Sequence, residues 1–278
     1  MPTPLAIMTN MGSIAAQKNL SNSSRSMQKS IERLSSGLRL NSAADDAAGM
    51  AVATGLRAQL GGYQQASRNA NDAVAIMNTA EGGLNTISET LIRMRELAVQ
   101  SASDGITDTE RDYIETEFQD LVGEIDRVSA VTEYNGVKLL NASAGSGGNV
   151  VFQVGTRSTG NDRVSVNLKD MQSSALGVKT DSVSTLAGAQ SAISSIDGAI
   201  STLASHRATI GSTINTLEGA MTNLGNTIQN VSTAVSQIRD ADIAAESASF
   251  ASSMVLQQAG VSMLAQANQA PNLALRLL

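Results

Sequence analysis

Apolar residues recur along the C-terminal half at alternating steps of three and four. The series runs Leu186, Ala189, Ile193, Ile196, Ile200, Leu203, Arg207, Ile210, Ile214, Leu217, Met221, Leu224, Ile228, Val231, Val235 and Ile238, with Arg207 its one charged member. A sustained 3.5-residue repeat predicts a helix wrapped on partners, and at 1.5 Å per residue a rod on the order of 80 Å long. Between Ser182 and Ile238 the only acids and strong bases are Asp197, Arg207 and Glu218. Such sparse charge does not suit a two-stranded coil, whose seam is normally flanked by charges. The Ser, Thr, Ala, Gly and Asn flanks instead predict a helix surrounded by other helices, including those of other copies. Arg207 is expected to send its charged end out beside the contact.

The N-terminal half supplies partners. Leu56, Leu60, Tyr63, Ala70, Val74, Met77, Leu84 and Leu91 keep a heptad register, and Ile114, Phe118, Leu121, Ile125 and Val128 form a shorter one. The turn residues of "SDGITDTE" between them, with Asp108 or Thr109 as cap, predict a helical hairpin. Gly82 and Gly83 each weaken the long helix by roughly 1 kcal/mol, which packing must offset. After the Asn135–Gly136 turn signal, "NVVFQV" and "DRVSVNL" alternate apolar and polar residues and predict a small β-hairpin at about 149–168.

At the chain ends, Leu20, Met27, Leu34 and Leu38 with Ile31 form one stripe. "ESASFASSMVLQQAGVSMLAQANQA" forms another, amphipathic in a shifted register and carrying Met254, Val261 and Leu264. These terminal helices are expected to pair, with "SSGLRLNSA" and "RDADIAAE" as a paired linker. The fold class is therefore mainly α: a long antiparallel helical and coiled-coil bundle with a small β-hairpin, its terminal helices pairing into a separate coiled-coil layer. The expected divisions are 1–42, 43–237 and 238–278.

Composition narrows the chemistry. Of 278 residues 42% are hydrophobic but only 2% aromatic, with no Trp. The core must then be thin and aliphatic, since rings normally supply much of the buried area. A net charge of -6 without any basic run argues against nucleic acid as a partner. The absence of Cys excludes disulfides and thiolate chemistry, and the single His206 cannot build a multi-histidine metal site. No apolar run reaches the roughly 20 residues that span a bilayer. "MPTPLAIMTNMGSIAAQ" has neither the charged start nor the apolar block of a secretory signal.

The adjacent acids of "LSSGLRLNSAADDAAGMA" allow two readings. Ser42 and Asp45, three residues apart, predict a capping box at a helix start, where both Asp45 and Asp46 also face the positive end of the helix. Paired carboxylates could alternatively act as acid and base or hold Mg²⁺, but further ligands are not visible nearby. His206, inside a heptad-patterned helix, reads as a solvated or interfacial residue rather than a general base. No hydrolase elbow or phosphate loop occurs, so neither an enzyme nor a cofactor is expected.

The same stretch, extended to "LSSGLRLNSAADDAAGMAVATGLRAQ", resembles the N-terminal signature of bacterial flagellin. The likeness continues through "ASRNANDAV", "IRMRELAVQSA" and "EIDRVSAVTEYNGVKLL", and resumes in "SFASSMVLQQAGVSMLAQANQAPNLALRLL". The resemblance implies an extracellular filament subunit used for swimming, its paired terminal helices forming the inner tube and the central bundle the surrounding wall. It implies polymerisation into a helical homopolymer, and export, unfolded, by the flagellar type III apparatus with a chaperone. It also implies contact with hook-junction and cap proteins. The space between Leu168 and Ser182 is too short for a variable outer region, which marks a minimal form. The start departs from the family: Ile7, Met8, Thr9 and Asn10 stand where many members read Ile-Asn-Thr-Asn. In "IRMRELAVQ" and the following helix, Arg93, Leu97 and Glu117 match the patch by which some flagellins meet a host Toll-like receptor; contacts between subunits are the other use of these residues. The hook-filament junction protein, similar to flagellin at both termini, is the alternative reading. The terminal helices are expected to be poorly ordered in the monomer and to fold together on assembly, because a lone helix is marginal in water.

Overall fold

A computed structural model describes residues 9–275. The helices are α1 (Met11–Ser36), α2 (Ala47–Ser101), α3 (Asp108–Val131), the single turn α4 (Ser173–Leu176), α5 (Leu186–Arg239) and α6 (Ile243–Leu275). Four short strands, β1 (Glu133–Tyr134), β2 (Val137–Lys138), β3 (Asn149–Gln153) and β4 (Arg163–Asn167), form two antiparallel pairs, β1 with β2 and β3 with β4. The chain divides into two compact units, Met1–Ala58 with Asn230–Leu278, and Gln59–Gln229. The boundaries expected at 42/43 and 237/238 are displaced into α2 and α5, because those helices run on without a break past the paired linker.

In the first unit α1 and α6 pair antiparallel. The order of contacts shows the register: Ser13 Oγ donates to Asn268 Oδ1 at 2.9 Å, Ser23 Oγ to the Ser253 carbonyl at 3.0 Å, and Arg33 meets Glu246 at 3.3 Å. Asn10 serves both helices, accepting from the Ser13 amide at 3.0 Å and donating to the Ala267 carbonyl at 2.7 Å. The helix α1 ends at Gly37, whose φ of 71° is the left-handed cap that glycine adopts without strain. The linker strands then pair as expected: the Arg39 amide donates to the Arg239 carbonyl at 2.7 Å and the Ala241 amide to the Gly37 carbonyl at 3.0 Å.

The second unit is built on α2, α3 and α5. Met77, Leu84, Ile87, Leu91 and Met94 of α2, Phe118 and Ile125 of α3, and Ile196, Leu203, Ile210 and Leu217 of α5 are buried in one core. The centre of the α5 face lies beside the expected stripe. Ala189, Ala192, Ile196, Ala199, Leu203, His206, Ile210, Thr213 and Leu217 are buried, whereas Ile193, Ile200, Arg207 and Ile214 sit half-buried at its margin. The buried face thus runs through 189, 196, 203, 210 and 217 and through 192, 199, 206 and 213, one position before the expected 193, 200, 207 and 214. Arg207 bridges to Glu81 of α2 at 2.6 Å.

The α2 to α3 turn is capped by Thr107, not by Asp108 or Thr109. Thr107 holds an extended backbone three residues before Glu110, and the two exchange side-chain bonds in a capping box. Arg111, itself buried, ties the turn shut by donating to the Ser101 and Ser103 carbonyls at 3.0 and 2.9 Å and to Asp108 at 2.9 Å. Asn135 and Gly136 both have positive φ, 50° and 76°, the requirement of a two-residue hairpin turn. The β3–β4 hairpin falls where the alternation predicts and is tied to α2 by Asn69, which donates to the Gln153 carbonyl at 3.1 Å. At Gly83 a Cβ would come within 2.6 Å of Thr132 Oγ1 and 2.7 Å of Leu140 Cδ1, so a close approach explains that glycine.

Candidate assembly surface on the terminal helices

The pairing of α1 and α6 leaves most of their large apolar side chains uncovered. Met27 and Ile31 of α1 and Phe250, Met254 and Val261 of α6, with Gln257 and Gln258, line an open groove of about 570 Å³. Of the stripe residues expected to serve assembly, Met27, Leu34, Leu38 and Leu264 are half-buried and Ile31, Met254 and Val261 are exposed. The structure brings four of them, Met27, Ile31, Met254 and Val261, to one groove.

The helix α6 is not simply amphipathic. Val255, Leu256 and Met263, which are 64%, 60% and 61% exposed, do not line that groove. The sequence reading missed these three, together with Met11, Ile14 and Val52, also exposed. The signal was present: in "SSMVLQQAGVSML" the apolar positions 254, 255, 256, 261, 263 and 264 do not fit one stripe. A helix that is apolar around most of its circumference belongs inside a larger assembly of helices. A contiguous exposed apolar surface of this kind marks a site of association.

The capping box expected from Ser42 and Asp45 lies one turn too early. The helix α2 starts at Ala47, and Asp46 is its cap, accepting from the Gly49 amide at 2.9 Å. Asp45 accepts from the Asn41 and Ser42 amides at 3.3 Å and pairs with Lys29 of α1 at 2.6 Å. The Lys29 contact, then the Ser42 and Asn41 amides, hold its carboxyl below the usual aspartate range. The two acids thus divide their labour, Asp46 starting a helix and Asp45 fastening the linker to α1.

In the second unit Arg93 and Glu117 meet at 2.7 Å on the exposed face of α2 and α3, and Arg93 also reaches Glu96 at 3.2 Å. Glu117 first and Glu96 second hold the guanidinium firmly charged. Leu97 does not join them at the surface. It is 2% exposed and belongs to the core, because the α2 face that carries Leu91, Met94 and Leu97 turns inward while Arg93 turns out. The exposed apolar residues Ile92 and Val99 of α2 lie together with Arg95, Glu96 and Gln100.

His206 is neither solvated nor interfacial. It is 2% exposed and its Nε2 has no hydrogen-bond partner. Burial, helped by Lys169 and opposed by Glu81, pushes its pKa below the usual value, so it is neutral near pH 7. Among the described residues no cluster of three or more His, Asp or Glu is arranged to hold a metal ion, and no helix is long and apolar enough to cross a membrane.

Comparison with known proteins bears on both units. The bacterial flagellin N-terminal helical region matches residues 7–144, and the bacterial flagellin C-terminal helical region matches residues 193–278. The flagellin of Halalkalibacterium halodurans is 38% identical over 274 residues, covering 99% of this chain and all of that one. The flagellin of Bacillus subtilis is 37% identical over 305 residues, again covering 99% of this chain and all of that one. A putative flagellar hook-associated protein from Vibrio parahaemolyticus superposes with a TM-score of 0.58, covering 70% of this chain and all of that one. At 16% identity that likeness shows a shared fold alone.

Proposed function

The chain belongs to the bacterial flagellin family, and on that premise we propose that it is a structural subunit polymerising into the extracellular flagellar filament that drives swimming. The observation that carries the reading is the apolar surface of α6, which its pairing with α1 leaves uncovered. Large apolar side chains gain roughly 1.5 to 3 kcal/mol each on full burial, so several per subunit suffice to drive self-association against the ordering cost. The α1–α6 pair, formed in the subunit, completes the burial of its apolar surface on joining the filament. The hook-junction alternative has a fold likeness at 16% identity, whereas the full-length relatives from Halalkalibacterium halodurans and Bacillus subtilis, 38% and 37% identical, are flagellins.

Export by the type III apparatus with a chaperone, and contact with junction and cap proteins, belong to the same proposal. Recognition by a host Toll-like receptor would use the exposed Arg93 and Glu117; Leu97, buried, can act only by supporting the face. The deciding experiment is electron microscopy of purified chain, dissociated to monomers and seeded with short filament fragments. Long uniform tubes with a central channel are expected, and a chain truncated before Arg239 should remain a soluble bundle that forms none. Finite capped assemblies from the full chain would favour the junction reading, and filaments from the truncated chain would refute the role given to α6.

A further inference from the structure

The chain contains no cysteine and no tryptophan, so methionine is its most readily oxidised side chain. The described methionines are sorted between the two units. Met77, Met94 and Met171 of the second unit are fully buried, and Met221 there is half-buried. In the first unit none is fully buried: Met27 and Met50 are half-buried, and Met11, Met254 and Met263 are 68%, 47% and 61% exposed. The reactive sulfur of the molecule is concentrated on the helices that carry its uncovered apolar surface.

We infer that Met254 and Met263 form an oxidation site for peroxides that switches the subunit out of the assembly-competent state, an inference that rests on the filament reading above. In the reaction the thioether sulfur attacks a peroxide oxygen. With hydrogen peroxide the O–O bond breaks and an S–O bond forms; sulfur is oxidised by two electrons, and the second oxygen leaves as water after taking the proton from the transferred oxygen. The product is a polar, strongly accepting sulfoxide in place of an apolar tip. Met254 lines the groove with Met27, Ile31, Phe250 and Val261, and Met263 stands off that groove among the exposed apolar residues of α6. A sulfoxide there holds water, which keeps the surface from closing, unless burial recruits a donor such as the Gln257 or Gln258 side-chain amide that lines the groove. The second unit keeps its fold, because Met77, Met94 and Met171 are shielded by its core. The change is reversible, since a thiol-dependent methionine sulfoxide reductase returns the thioether and releases water.

The test treats full-length monomer with hydrogen peroxide, maps sulfoxides by peptide mass spectrometry, and then seeds polymerisation. Sulfoxide at Met254 and Met263 is expected at least tenfold sooner than at Met77, Met94 and Met171. The second unit's thermal unfolding should be unchanged, polymer yield should fall at least tenfold, and reductase with dithiothreitol should restore it. Preformed filaments should take up sulfoxide at these two positions at least tenfold more slowly than monomers. Uniform oxidation of all methionines, or normal polymerisation with both positions oxidised, overturns the inference and leaves the filament reading intact. Untreated monomer that makes no filaments overturns both.

Discussion

Replacement of Leu256 by alanine isolates the contribution of the uncovered α6 face. The substitution removes three carbons, each worth about 0.8 kcal/mol on burial. Leu256 is 60% exposed in the subunit, so about 1.4 kcal/mol of that burial is still to be gained when the face is covered. The monomer should be indifferent, because the carbons lost are mostly in water already and alanine is the strongest helix former. A difference of 1.4 kcal/mol is a factor of ten in an association constant. The critical concentration, read as the free subunit left in the supernatant after filaments are sedimented at equilibrium, should therefore rise about tenfold. Thermal unfolding of the second unit should not move, since Leu256 lies in the first. A rise of less than about threefold, below roughly 0.7 kcal/mol, would mean that Leu256 stays in water within the filament. The argument from α6 would then fail.

Further expectations concern the second unit. Arg111→Met strips the buried Ser101 carbonyl of its Arg111 donor, while the exposed Ser103 carbonyl keeps the Ile106 amide and water; at about 1 to 3 kcal/mol for one orphaned buried group a fall in Tm of roughly 2 to 12 °C is expected. The two adjacent glycines of α2 should respond with opposite sign. A Cβ at Gly82 meets nothing within 4 Å, so Gly82→Ala should stabilise by up to about 1 kcal/mol in urea unfolding. Gly83→Ala, crowded by Thr132 and Leu140, should be neutral to destabilising by about 2 kcal/mol. Because burial and Lys169 lower the pKa of His206 against the opposing Glu81, the unfolded chain binds more protons than the folded one below the usual histidine value of about 6.5. Its contribution to stability is present above that pH and is lost as pH falls through it. His206→Leu should flatten the dependence of unfolding free energy on pH below about 6.5, and an unchanged slope would exclude this role.

Periodicity alone determined the helices and the class of fold. The 3.5-residue repeat of α5, the heptads of α2, the Asn135–Gly136 turn and the alternation at 149–168 are local signals, since each depends only on which residues follow one another at helical or strand spacing. The terminal pairing was legible for the same reason, and the flagellin signatures at both ends pointed to the family. What local pattern could not decide is how far each face is covered. Leu97 and Arg93 are four residues apart in one apolar and charged motif, yet one is core and the other surface, because α3 and α5 cover only one side of α2. His206 reads as solvated or interfacial from its place in the repeat, and it is buried because the packing centres the α5 face on Ala192, Ala199 and Thr213. Asp45 and Asp46 are chemically identical neighbours, and only Lys29, brought close by the fold of the linker, makes one a fastener and leaves the other a cap. The surplus apolar positions of α6 are legible in the sequence as residues that fit no single stripe, but how much of that surface stays uncovered depends on what α1 takes. Burial is a property of three-dimensional neighbours, and a sequence states only which residues are able to seek it.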